Sequence, residues 1–180
     1  VAGVAAAVKR RGGGRDPDAL WAHHHGLWRD PAQISSHWRS AGDVDPKSLH
    51  WVVRGPWWEC LASLGITLLV SREYEHLVIG LSVSGEGPRL TYLPMPHPSG
   101  IAVDRDQGRV HVASTRNPNE IYELAPVAGL LARTDVDIEP LADRPLIPVR
   151  TRFLPGSLYL HDLALVGGAL HGTAVGENAV

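Results

Sequence analysis

A chain of 180 residues, 44% of them hydrophobic, is long enough to bury a substantial core. Its formal net charge of −2 supplies no basic field and so argues against nucleic acid or an anionic membrane surface as a partner. The single cysteine, Cys60, excludes an intramolecular disulfide framework and fits a reducing, cytoplasmic compartment.

Residues 1–15 begin with an apolar run, Val1–Val8, far short of the roughly 18 residues a membrane helix needs. Its positive charges follow the run, the reverse of a secretory signal, and Gly12-Gly13-Gly14 closes it, so a disordered lead-in is expected. From Asp16 the pattern changes. Asp16-Pro17 and Asp30-Pro31 each place a capping carboxylate before proline at the first helical position. They predict one helix running to about His25 and a second ending before Gly42. Asp45-Pro46 opens a further turn or short helix, and Trp57, Trp58 and Leu61 predict another, closed by Gly65. All six tryptophans lie in the first third of the chain, so residues 16–65 read as a Trp-rich helical cap packed on the sheet structure.

From Ile66 the hydrophobic period becomes that of β-strands. A first unit comprises Ile66–Ser71, a turn at Arg72–Glu75, His76–Ser82, a turn at Ser84–Gly87, and Arg89–Leu93. A second comprises Gly100–Asp104, a turn, Arg109–Thr115, the loop Arg116–Asn119, and Glu120–Leu124, with Val136–Leu141 as its outer strand. The excursion Asp143–Pro155 reads as a long loop or an unplaced strand. A third comprises Asp162–Val166, the turn Gly167-Gly168, Ala169–Val175 and the loop Gly176–Asn178. His111 aligns with His171, and Asn119 with Asn178. Repeated hairpins, each beginning with its most apolar strand near Ile66, Ile101 and Leu163, predict a mainly β fold. The expectation is a partial β-propeller of about three blades over residues 66–180, with a β-sandwich or other meandering sheet as the alternative. A propeller needs typically four to eight blades to close, so a fragment of a longer protein is expected.

At Leu68–His76, His97–Gly100, Ser114–Asn119 and Leu158–Leu163 the chain resembles a bacterial family of conserved hypothetical proteins with a domain of unknown function. Trp21–Trp58 looks like that family's N-terminal portion. The resemblance would span about residues 16–180 and implies that the second half of a full-length member is missing. Pro98–Asp104 is similar to blades of the NHL and gluconolactonase-like propellers. Such blade motifs imply architecture, and no activity transfers with them.

In a four-stranded blade, the loop entering the first strand and the loop between the second and third open on one face. His97, His161, Asp162, Arg116, Asn117, Asn119, Glu177 and Asn178 are thereby expected around one mouth, with Arg72–Glu75 on the opposite face. His161 and His97 are the candidate metal ligands, since imidazole suits zinc, copper or iron. Symmetry is imperfect, because Ser99 and not His97 matches His161. Arg116, Asn117, Asn119 and Asn178 are candidates for a polar ligand, although Asn and Pro in such loops also serve as turn formers. Asp162 or Glu177 would orient the ligands of a bound ion through hydrogen bonds or act as a base.

Consecutive His23, His24 and His25 point in different directions on a helix and do not chelate one ion. His111 and His171 read as packing residues, and Cys60 as buried packing beside the tryptophans. The leading functional reading is a protein binding a small polar molecule, with or without a divalent metal ion, at the mouth. Whether it catalyses a reaction is left open. The alternative, from a different class, is a non-catalytic scaffold gripping a protein partner.

Overall fold

A computed structural model describes residues 16–27, 32, 39–116, 119–126 and 146–180. The expected lead-in, most of the second helix and the expected strand Val136–Leu141 lie outside the described residues.

Helix α1 (Pro17–Leu27) begins where the sequence places it. Asp16 accepts from Asp18 N through its side chain at 3.1 Å and from Leu20 N through its carbonyl at 3.0 Å. Asp45 caps a single 3-10 turn, Pro46–Leu49, by accepting from Lys47 N at 2.9 Å. Helix α2 (Trp57–Leu64) stops at Gly65, whose φ of 60° is the left-handed conformation that ends helices at glycine. This cap leans on the first sheet: Leu61 is buried, Arg72 donates to Ser48 O at 2.9 Å, and Tyr92 donates to Leu49 O at 3.1 Å. Cys60, expected to be buried, is exposed, because the buried face of α2 is carried by Leu61. No described helix is long and apolar enough to cross a membrane.

The rest of the described chain is mainly β. Nine described strands form three antiparallel sheets, each in simple sequence order. Sheet 1 holds β1 (Leu68–Arg72), β2 (Leu77–Ser84) and β3 (Gly87–Pro94). Sheet 2 holds β4 (Pro98–Asp104), β5 (Arg109–Ser114), β6 (Asn119–Pro126) and β7 (Leu146–Leu154). Sheet 3 holds β8 (Leu160–Val166) and β9 (Ala169–Ala174). The described strands do not close into a barrel or a ring. The turn chemistry is as read: Gly167 and Gly168 carry φ of 57° and 80°, the type I′ requirement, and Asp104 Oδ1 caps the Asp104–Gly108 turn at Gln107 N.

Sheet 2 is packed on both faces, which explains why β5 is almost wholly buried. Period-two alternation sends Val110, Val112, Tyr122 and Leu124 to one face, where they meet Val78 and Met95 from the sheet 1 side. Ala102 and Ala113 go to the other face and meet Leu160, Leu163 and Ala174. The outermost strand of sheet 2 is β7, pairing Asn119 with Leu154 and Ile121 with Arg152. The excursion Asp143–Pro155 therefore contains the outer strand, hidden from pattern reading because Arg150, Arg152 and Pro148 interrupt its apolar run.

The repeat is visible in register. Ala102 pairs with His111 and Ala164 with His171, and β4 and β8 both shift register within their first residues. One assignment changes. β1 runs toward the end of the molecule at which β4 and β8 begin: Leu69 packs near Ile101, while Glu73 lies beside His97. So β1 does not correspond to β4 and β8, as expected from its apolar character; it takes the role of β5 and β9. Among the described strands β1 pairs only with β2.

Candidate functional site

The end at which β4 and β8 begin gathers five short segments: the β1–β2 turn (73–76), the β3–β4 connection (95–97), the start of the loop after β5, the strap 155–159 before β8, and the turn after β9 (175–178). The described non-glycine residues with left-handed backbone, His76 (φ 56°), His97 (φ 40°), Tyr159 (φ 51°) and Asn178 (φ 52°), all lie here. They fall into equivalent pairs. His97 and Tyr159 immediately precede β4 and β8, whereas His76 and Asn178 end the turns after β1 and β9.

Hydrogen bonds repeat with them. His97 N donates to His76 Nδ1 at 3.2 Å, and Tyr159 N donates to Asn119 Oδ1 at 2.9 Å. Thr115 N donates to His97 O at 3.1 Å, and Val175 N donates to Tyr159 O at 3.3 Å. A residue entering each first strand is thus held between the neighbouring sheet and its own. Asn119, fully buried, also donates to Gly156 O. Its amide is committed to the strap, so this candidate ligand is a joint. Imidazole at His76 does for the first joint what the carboxamide of Asn119 does for the second.

Glu73 is the group that sequence reading missed. Its Oε1 accepts from Thr115 Oγ1, lies 3.9 Å from Arg116 Nε and 4.0 Å from His97 Nδ1. Arg72–Glu75, expected on the opposite face, lies at this mouth, because β1 runs toward the same end as β5 and its turn is the counterpart of Arg116–Asn119. By the same shift, Ser84–Gly87 falls at the other end. The signal was present in the sequence: aligning Ser71 with Ser114 sets Glu73 on Arg116 and His76 on Asn119.

Below the mouth an open groove of about 510 Å³ is bounded by Leu69, Val70 and Ser71 of β1, Pro98–Ile101 of β4, and His161 and Asp162 of β8, with Glu73 at its upper edge. His161 and Asp162 are exposed in it. Asp162 Oδ1 accepts from Leu163 N at 2.9 Å, and Ser99 Oγ donates across to Leu160 O at 2.6 Å. The mouth thus brings His97 and Arg116 to Glu73, and the groove brings His161 and Asp162 under the same carboxylate. Glu177 and Asn178 are exposed in the turn after β9, near Gly156. Asn117 lies outside the described residues, as do the side chains of His24 and His25; His23 is exposed.

Electrostatically the mouth is mixed. Burial lowers the pKa of His76, opposed by Glu73 and Glu75, so its Nδ1 stays free to accept from His97 N. Burial raises the Tyr159 hydroxyl pKa, partly offset by Arg116. Among the described residues no three His, Cys, Asp or Glu side chains are grouped to hold a metal ion, and His97 and His161 do not form such a set. No step through a metal is derived. No family model, curated protein or solved structure matches the chain.

Proposed function

We propose that the chain is part of a β-propeller acting as a binding module, with its ligand seated in the groove between β1, β4 and β8. The propeller reading is supported by the repeated joints, which relate sheet 1 to sheet 2 as they relate sheet 2 to sheet 3. It is supported too by β4 and β8 starting together and packing on each other.

The observation that carries the binding reading is the lining of the groove. Carboxylates at Glu73 and Asp162 accept hydrogen bonds, hydroxyls at Ser71 and Ser99 do either, and His161 offers both roles. This set suits a polar ligand that brings donors or positive charge. The left-handed residues at His97 and Tyr159 fix the loops on either side, which is where strain is commonly kept at binding sites.

Amide-resonance titration with small polar solutes such as glucosamine and arginine amide tests the reading. Shifts centred on Ser71, Ser99 and His161, lost in a Glu73→Gln, Asp162→Asn double variant, are expected. Shifts scattered over the surface, or unchanged in the double variant, would overturn it. A second reading, a scaffold for a protein partner, is supported by the apolar surface that Trp51, Val52, Trp57 and Leu64 leave exposed on the cap; loss of a partner on Trp51→Ser, Trp57→Ser substitution tests it.

A further inference from the structure

Glu73 belongs to two neighbourhoods at once. Its side chain stands at the upper edge of the groove. Its Oε1 also faces the mouth, accepting from Thr115 Oγ1 and lying 3.9 Å from Arg116 Nε and 4.0 Å from His97 Nδ1. His76, in the same turn, meets the His97 ring edge to face with ring centres 4.3 Å apart. It is half-buried and accepts from His97 N through Nδ1, a bond that needs this nitrogen unprotonated. The charged and titratable groups around it come from three segments. Glu73 and Glu75 stand on its own turn, His97 on the β3–β4 connection, and Arg116 beyond Glu73 on the loop after β5. Arg72, at the end of β1, is engaged by Glu75.

We propose that the His76–His97 joint is a proton switch on the groove: it lets the groove hold a cationic ligand at neutral pH and releases that ligand on acidification. The inference rests on the binding reading of the groove and names how that site is regulated. Protonated Nδ1 becomes a donor and can no longer accept from His97 N, so the joint opens. The new imidazolium stands beside Glu73, which turns toward the opposite charge and away from the groove. The groove is left with Asp162 as its carboxylate, and one oxygen of Asp162 is already bonded to Leu163 N. A cationic ligand therefore loses half of its counter-charge and gains a like charge behind Glu73. Burial favours the neutral ring against the pull of Glu73 and Glu75, which sets the holding state at neutral pH. The switch is thrown as pH falls from about 6.5 through the lowered value. The second joint carries the Asn119 carboxamide in this place and has no proton to gain.

The probe is N-acetylarginine amide, whose single positive charge does not change between neutral and mildly acidic pH. It is titrated into the whole chain and followed through the Ser71, Ser99 and Asp162 amide resonances. The comparison is confined to the pH range in which the Val112 and Leu124 resonances stay dispersed, so the sheets are folded throughout. On acidification across that range the Kd is expected to rise by about fivefold or more in the native protein. In His76→Asn it should change less than about twofold. His161, exposed in the groove, is the competing sensor, and His161→Gln should keep the native loss. Linkage supplies a second readout: saturating probe should move the His76 ring titration to lower pH by the same factor. A pH-independent Kd in the native protein, the full loss in His76→Asn, or its disappearance in His161→Gln overturns the proposal. So does a His76 titration that ignores the probe. If the probe binds the groove and pH has no effect, the binding reading stands and the switch falls; if neither it, arginine amide nor glucosamine binds at neutral pH, both fall.

Discussion

Gly100 on β4 and Asp162 on β8 touch backbone to backbone: a Cβ on Gly100 would lie 2.5 Å from both Asp162 Cα and its carbonyl carbon. No side-chain rotation relieves such a contact, so one strand must retreat. Gly100→Ala is expected to destabilise the chain by roughly 1–3 kcal/mol in urea denaturation. Gly80 on β2 is the control. There the added Cβ meets the Thr91 hydroxyl at 2.6 Å, the end of a side chain that can turn away. Gly80→Ala should stay within about 0.5 kcal/mol of the native protein, since reduced freedom of the unfolded chain offsets the crowding.

Asn119 supplies the second joint. Its carboxamide accepts from Tyr159 N at 2.9 Å and donates to Gly156 O, with the residue wholly buried. Asn119→Ala leaves both backbone groups without this partner away from solvent, a loss of roughly 2–4 kcal/mol. Because the strap leads directly into β8, the variant should also shift the His161 and Asp162 amide resonances. Unchanged resonances there would separate the joint from the groove.

These relationships mark how far the sequence could be read. Hairpin turns and the caps at Asp16 and Asp45 were legible because each depends on residues close in the chain. The role of β1 was not. An apolar strand reads alike whether it is first or second in its sheet, and its place depends on the direction in which it meets β4. Glu73 went unnoticed for that reason, and β7 because outer strands carry polar and charged residues that erase alternation. Among the candidates, His161 and Asp162 were singled out by their position before an apolar strand. His97 and Asn119 were singled out as polar loop residues, and the backbone bonds that occupy His97 N and the Asn119 side chain have no trace in composition.

Glu123 on β6 faces three arginines. Arg109 Nε lies 3.2 Å from Oε1, and Arg150 and Arg152 each lie 3.9 Å from Oε2. The carboxylate is mostly buried, whereas Arg150 and Arg152 are more than half exposed, so solvent screens them strongly. Arg150→Ala or Arg152→Ala should cost at most about 0.5 kcal/mol, and Arg109→Ala up to about 1 kcal/mol. A double-variant cycle with Glu123→Gln, repeated at high salt, checks the ranking: the Arg150 and Arg152 couplings should vanish first.

A buried and a half-buried titratable group, Glu120 and His76, give stability opposite slopes against pH. Burial raises the Glu120 carboxyl pKa, offset in part by a hydrogen bond with Tyr122, and Oε2 finds no hydrogen-bond partner among the described residues. A folded-state pKa above the unfolded one means a contribution present at low pH and lost as pH rises through the raised value. Glu120→Gln removes that loss and should stabilise the chain at pH 7 by roughly 1–2 kcal/mol. His76 works the other way. Burial lowers its pKa below 6.5, so its contribution is intact at neutral pH and is lost as pH falls from about 6.5 through the lowered value. Protonating Nδ1 also converts the acceptor for His97 N into a donor, so the joint opens with the charge. The equivalence with Asn119 supplies the decisive variant. His76→Asn keeps an acceptor and has no proton to gain, so unfolding followed between pH 7 and 5 should lose its His76-dependent slope while stability at pH 7 stays close to native; His76→Leu should lose the slope and the stability together.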